Sequence, residues 1–176
     1  ALRFKADHGG ALNGLAVALI LSGKLDDAKR ALAEAAIIPE SAATALQNLG
    51  RLAEQEHHDP EAAKYYERAL ALDPPSLQVV EPLCGIHLRS GQPAKAIELL
   101  RARLKIQPEN PIWLTFLADV LATSRDDSIR SGKEALDLAP QAIRQAPGRP
   151  VPVLNALAAA HAETGDFAEA ARLQQE

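Results

Sequence analysis

Few side chains in this chain are spaced for chemistry. His57, His58 and Asp59 follow one another, but adjacent side chains diverge and a zinc site wants three or four converging ligands. No metal site is expected there. Cys84 is the single cysteine, so no intramolecular disulfide can form. Glu54, Glu56, Glu61 and Glu67 fall mostly on helix surfaces, where carboxylates are ordinarily solvated. Arg101, Arg103 and Lys105 make a short basic run, too little to hold nucleic acid without an aromatic platform. A phosphate-cradling glycine loop, a His-Glu-x-x-His pair and a Gly-x-Ser-x-Gly elbow are all missing from the sequence. The reading is therefore of a chain with no catalytic residue and no cofactor.

Composition points the same way. Of 176 residues, 47% are apolar and 24% charged, which is a globular balance and not a disordered one. There are 35 Ala and 26 Leu against 6 Val, 9 Ile and 4 Thr. Ala and Leu favour helices, and the scarce β-branched residues favour strands, so an all-β or doubly wound α/β fold is excluded. A net charge of -4 argues against a nucleic-acid partner. The longest apolar run, Leu15 to Leu21, is far shorter than the roughly 20 residues that span a bilayer. Arg3 and Lys5 precede it as in a signal peptide, but Asp7, His8 and Asn13 break that pattern. Direct membrane insertion is not expected. One cysteine suits the cytoplasm and the periplasm alike, and localisation stays open between them. The sequence contains no methionine, and we expect it to be a piece of a longer protein.

What organises the chain is a repeat. Leu12, Leu46, Val80 and Leu114 are each 34 residues apart, as are Leu15, Leu49, Leu83 and Leu117. Ala16, Gly50, Cys84 and Ala118 keep the same step with small side chains, and Ala28, Ala62 and Ala96 form a further row. Within a unit, the pattern at i, i+3, i+4 and i+7, as in Leu46, Leu49, Gly50 and Ala53, is one face of an amphipathic helix. A turn such as Ser22-Gly23 or Ser90-Gly91 follows. Asp59-Pro60-Glu61 then reads as a helix start, and Asp73-Pro74-Pro75 as a stop. Each unit is a helix-turn-helix hairpin of 34 residues. The small residue in the first helix lets two helices approach closely, and a buried thiol at that position, Cys84, should be inert.

The expected boundaries are 9–42, 43–76, 77–110, 111–149 and 150–176, the last unit truncated, with 1–8 as the tail of a preceding unit. The fourth unit needs five extra residues between its helices, Ser124 to Ser128, a polar loop. Pro82 and Pro140 fall inside helices and should kink or split them. A single hairpin cannot bury its apolar face. Stacked hairpins can, which gives an all-α, right-handed superhelical solenoid.

These residues resemble the tetratricopeptide (TPR) family. The second unit matches its pattern through Leu46, Leu49, Gly50, Ala62, Tyr66, Ala69, Leu70 and Pro74, and departs at Ala53, where Tyr is usual, and His57, where Gly is usual. His87 and His161 stand where the family often has Tyr, which makes them packing residues. Trp113 reads as packing beside the seam residue Leu114, while Tyr65-Tyr66 gives one core ring and one exposed neighbour. The end of the chain, with Leu121-Ala122-Thr123, Gly132-Lys133-Glu134-Ala135 and Leu154 to Ala160, is similar to a variant repeat pair common in bacterial TPR chains.

The resemblance implies a function. A second stripe on the first helices, about 130° from the seam, lines a concave groove in TPR folds and contacts a peptide. Here it comprises Asn13, Val17, Gln47, Arg51, Gln55, Glu81, Arg89, Thr115, Asp119 and Asn155. Some TPR grooves clamp a C-terminal carboxylate with clustered Lys, Arg and Asn. Only Asn13 and Arg51 match that set, and Glu81 and Asp119 oppose it. The expectation is a protein–protein interaction or scaffold module whose groove takes a segment of mixed charge with an apolar end. The alternative is a client-recruiting or assembly domain of a larger bacterial enzyme or envelope machine, such as a glycosyltransferase or polysaccharide exporter. Self-association through the solenoid ends is a further possibility.

Overall fold

The structure, a computed structural model, describes residues 2–72, 77–146 and 151–175, with side chains from residue 8 onward. The helix stop expected at Asp73-Pro74-Pro75 and the start of the tail at Ala1 lie outside the described residues. Among those described there are ten helices and no strand. They are α1 (Leu2–Leu21), α2 (Leu25–Ala35), α3 (Pro39–Gln55), α4 (Asp59–Leu72), α5 (Leu77–Arg89), α6 (Pro93–Ile106), α7 (Pro111–Thr123), α8 (Gly132–Gln145), α9 (Val151–Glu163) and α10 (Phe167–Leu173). The chain divides into two compact units, 1–86 and 87–176, and the division falls within α5.

The helix ends follow local chemistry. Pro39, Pro93 and Pro111 open α3, α6 and α7 in the first turn, where a missing N–H leaves no gap. Asn110 caps α7 by accepting the N–H of Ile112 at 3.0 Å, and Asp166 caps α10 by accepting that of Glu169 at 3.2 Å. Four turns share one geometry. Gly23, His57, Gly91 and Gly165 all have positive φ. The next residue's N–H then reaches back to the carbonyl of Leu19, Ala53, His87 or His161, at 2.8–2.9 Å. This is the Schellman closure of a helix. His57 holds a left-handed conformation, φ 60°, that glycine adopts without strain.

In the first unit α1 packs on α2 and α3, and α3 on α4. Ala16, Ala28, Ala31, Leu32, Ala35, Ala45 and Leu49 form one buried cluster. The expected seam is present: Leu49, Leu83 and Leu117 are buried. Leu15 departs from it and is 51% exposed. Leu49 buries itself against α2, the second helix of the hairpin before it, and no helix precedes α1 among the described residues. Helix α1 also runs unbroken through residue 8, where a preceding unit was expected to end, and α3 starts at Pro39, ahead of the boundary expected at 43. Gly9 allows α1 and α3 to touch, since a Cβ there would lie 2.2 Å from Ser41 Oγ. Ser41 in turn donates to the Ala35 carbonyl at 2.8 Å and so ties off the end of α2.

In the second unit α7 packs on α6, α8 and α9, α8 also on α9, and α9 on α10. Trp113 is 2% exposed, and its indole N–H donates to Gln107 Oε1 at 3.1 Å. Pro82 and Pro140 lie inside α5 and α8 without dividing either helix.

Candidate functional site

The ten residues of the expected groove differ in what they present. In the first unit Asn13 is 8% exposed, packed between helices, and its amide nitrogen donates to the Ser41 carbonyl at 3.4 Å. It serves the α1–α3 contact and offers little to a ligand. Val17, at 45% exposure, presents an apolar surface, while Arg51, Gln55 and Glu81 are exposed and Gln47 is half-buried. Arg51 forms no ion pair with the described residues.

In the second unit Arg89 is exposed. The Thr115 hydroxyl donates to the Pro111 carbonyl at 2.7 Å, inside its own helix. Asn155 Oδ1 accepts from the Gln174 amide at 3.3 Å. Asp119 is half-buried, and burial pushes its carboxyl above the ordinary carboxylate range. Two unlike features therefore stand out: a guanidinium at Arg51 with no ion pair among the described residues, and a desolvated acid at Asp119.

The remaining chemistry-bearing residues have structural places. Cys84 is buried, and desolvation pushes its thiol up to about 12, far from the thiolate a nucleophile needs. His87 is buried, and His161 Nδ1 lies 3.3 Å from Asp166 Oδ2. His58 sits 3.6 Å from Glu56. Among the described residues no group of three or more His, Cys, Asp or Glu side chains could hold a metal ion. No helix there is long and apolar enough to cross a membrane.

Two open clefts were not anticipated. One, of about 290 Å³, is lined by Lys29, Leu49, Glu56 and Tyr65 among others; the second, of about 630 Å³, lies between α6, α7 and the loop before α8. Neither is lined by a residue of the expected groove. Their walls come from the second helix of one hairpin and both helices of the next, an adjacency that a single-helix pattern does not reveal. The polar insertion after Thr123, read in the sequence only as a loop, leads into one wall of the larger cleft.

Two family models, both described as tetratricopeptide repeat, match the sequence, one over residues 55–120 and the other over 9–34 and 151–173. Together these stretches take in more than half of the chain. The chain belongs to the tetratricopeptide repeat family. No curated protein matches it by sequence. Among solved structures it is similar to MamA, residues 41 to the end, from Desulfovibrio magneticus RS-1, with a TM-score of 0.72 and 16% identity over 96% of this chain and 92% of that one. A tetratricopeptide repeat protein from Parabacteroides merdae gives a TM-score of 0.79 and 18% identity over 96% of this chain and 65% of that one. YrrB, described as a TPR protein with an unusual peptide-binding site, gives 0.68 and 19% identity over 93% and 81%. At these identities the likeness is one of fold, the all-α TPR solenoid. The family assignment makes the chain a TPR module for protein–protein interaction.

Proposed function

We propose that this TPR chain works as a non-enzymatic scaffold that binds a segment of a partner protein along the groove stripe of its first helices. The observation that carries this reading is Arg51, an exposed cation that forms no ion pair with the described residues, on a helix whose opposite face is buried. Such a guanidinium beside the amides of Gln47 and Gln55 favours a carboxylate or backbone carbonyl on the guest. Val17, exposed on α1, gives the same stripe an apolar patch. Within the first unit the guest brings an acidic group to Arg51 and an apolar side chain to Val17; in the second, the corresponding stripe offers the half-buried acid Asp119 to a basic group.

Titration of a partner peptide against wild type, Arg51→Glu and Asp119→Asn tests this. The charge reversal is expected to weaken binding about fivefold or more, as for a rim charge pair turned repulsive. Unchanged affinity in both variants would remove the groove from consideration.

A further inference from the structure

The two clefts occupy the same architectural place in their units, yet they differ in size and in how their charges are met. In the smaller, Lys29 bridges to Glu56 at 2.8 Å, Arg30 pairs with Asp27, and the Tyr65 hydroxyl donates to Glu61 at 3.1 Å. That cleft has matched its own charges. The larger is lined on one side by Ser128 to Ser131, where the five-residue insertion of the fourth hairpin ends.

That insertion is a built wall. Asp126 Oδ1 accepts both the N–H of Ser128 at 3.0 Å and its hydroxyl at 2.6 Å, and these bonds hold its carboxyl below the ordinary range. Arg130 donates to the Ser124 carbonyl at 3.1 Å and pairs with Asp127, and its Nε lies 3.5 Å from Glu163. The other Glu163 oxygen accepts the N–H of Gly132 at 2.8 Å. The Ser131 N–H closes the loop on the Leu121 carbonyl at 2.9 Å. A Cβ at position 132 would lie 2.0 Å from that Glu163 oxygen and would displace the carboxylate from its bond to the Gly132 N–H. A wall held at this many points keeps its shape when a ligand arrives, so little ordering entropy is lost on binding.

Inside the wall the cleft is apolar at its base and charged at its rim. Ile97 and Leu121 are buried beneath it, and Ile129 closes one side. Arg101 is matched by Glu134 through bonds of 2.9 and 3.0 Å. Glu98 and Lys105, both exposed on α6, form no ion pair with the described residues. They stand two helical turns apart, about 10 Å along the axis, which an extended peptide covers in about three residues.

We infer that this cleft is a second docking site, separate from the groove stripe, for a segment of another protein that carries an aliphatic side chain between one acidic and one basic residue about three positions apart. The aliphatic group fills the space over Ile97, Leu121 and Ile129. The guest's acid faces Lys105 and its base faces Glu98.

Selection of a random displayed peptide library on the whole chain, followed by titration of the enriched peptides, tests this. The expected consensus has that charge pair around Leu, Ile or Val. Lys105→Glu and Glu98→Lys should each weaken such a peptide about threefold to fivefold. The double exchange should prefer the same peptide with its two charges swapped, while Arg51→Glu should leave its affinity unchanged. Both side chains are exposed, so the variants keep the fold. Enrichment of no such peptide, or enriched peptides that ignore Lys105 and Glu98 and respond to Arg51→Glu, would overturn the assignment and leave the groove reading standing.

Discussion

Replacing Gly50 by alanine adds one methyl group to the tightest contact in the second hairpin. A Cβ on Gly50 would lie 2.7, 2.8 and 3.0 Å from three ring atoms of Tyr66, where carbon atoms ordinarily settle at about 3.5–4.0 Å. The ring is fully buried, and its hydroxyl donates to Glu54 Oε2 at 3.2 Å, so it has nowhere to retreat. Alanine in a helix interior gains about 1 kcal/mol over glycine. Overpacking costs about 1–3 kcal/mol. The net expectation is a loss of about 1 kcal/mol, or a thermal midpoint lower by about 2–4 °C. The first hairpin shows the remedy, because Ala16 there shares a buried cluster with Leu32 where the second hairpin has Gly50 and Tyr66. In a Tyr66→Leu background Gly50→Ala should therefore become neutral or stabilising, with a coupling of roughly 1–2 kcal/mol in a double-mutant cycle. Urea unfolding followed by circular dichroism reads all four proteins. Equal effects of Gly50→Ala with and without the ring would refute the contact as the reason for glycine.

Three further outcomes are expected. His57→Gly should stabilise the chain by about 0.5–1 kcal/mol, since glycine carries no penalty at positive φ; a destabilised variant in the same unfolding assay would show that the His57 side chain contributes something the turn needs. Cys84 should resist a thiol reagent at neutral pH while folded and react once urea is added. Its folded value, raised from 9.0 to about 12 by burial, gives stability that is complete below 9 and declines as pH rises toward the folded value. Cys84→Ala should flatten that decline between about pH 9 and pH 10, and an identical pH profile for the two proteins would contradict the burial argument.

The helix hairpins were legible in the sequence because their cause is local and periodic. Leu49, Leu83 and Leu117 fall on one helix face at every repeat, and each is buried. Glycine or histidine at one turn position closes each of four hairpins in the same backbone geometry. Proline and capping residues open the helices where their chemistry allows. Periodicity fails where a position's fate depends on its neighbour in space. Leu15 matches Leu49 in type and register, yet lies half in water, because α2 covers Leu49 and no helix among the described residues covers Leu15. Asn13 sits in the groove stripe by its number and is buried by the close approach at Gly9 and Ser41. Pro140 was expected to kink or split α8, and the helix runs past it without being split.

The candidate sites divide in the same way. On each first helix the stripe proposed as a groove could be read from helical geometry, since one helix decides which of its residues share a face, and its role as a groove came from the family resemblance. The cleft behind Ile129 could not be read that way, because it needs α6 and α7 beside a loop that Arg130 anchors to Glu163 of α9. Sequence determined the hairpin, its turns and its buried face, because those rest on interactions a few residues apart. Tertiary structure decided which apolar residues found a cover, which charges found partners and where space was left between helices, because those depend on atoms distant in the chain.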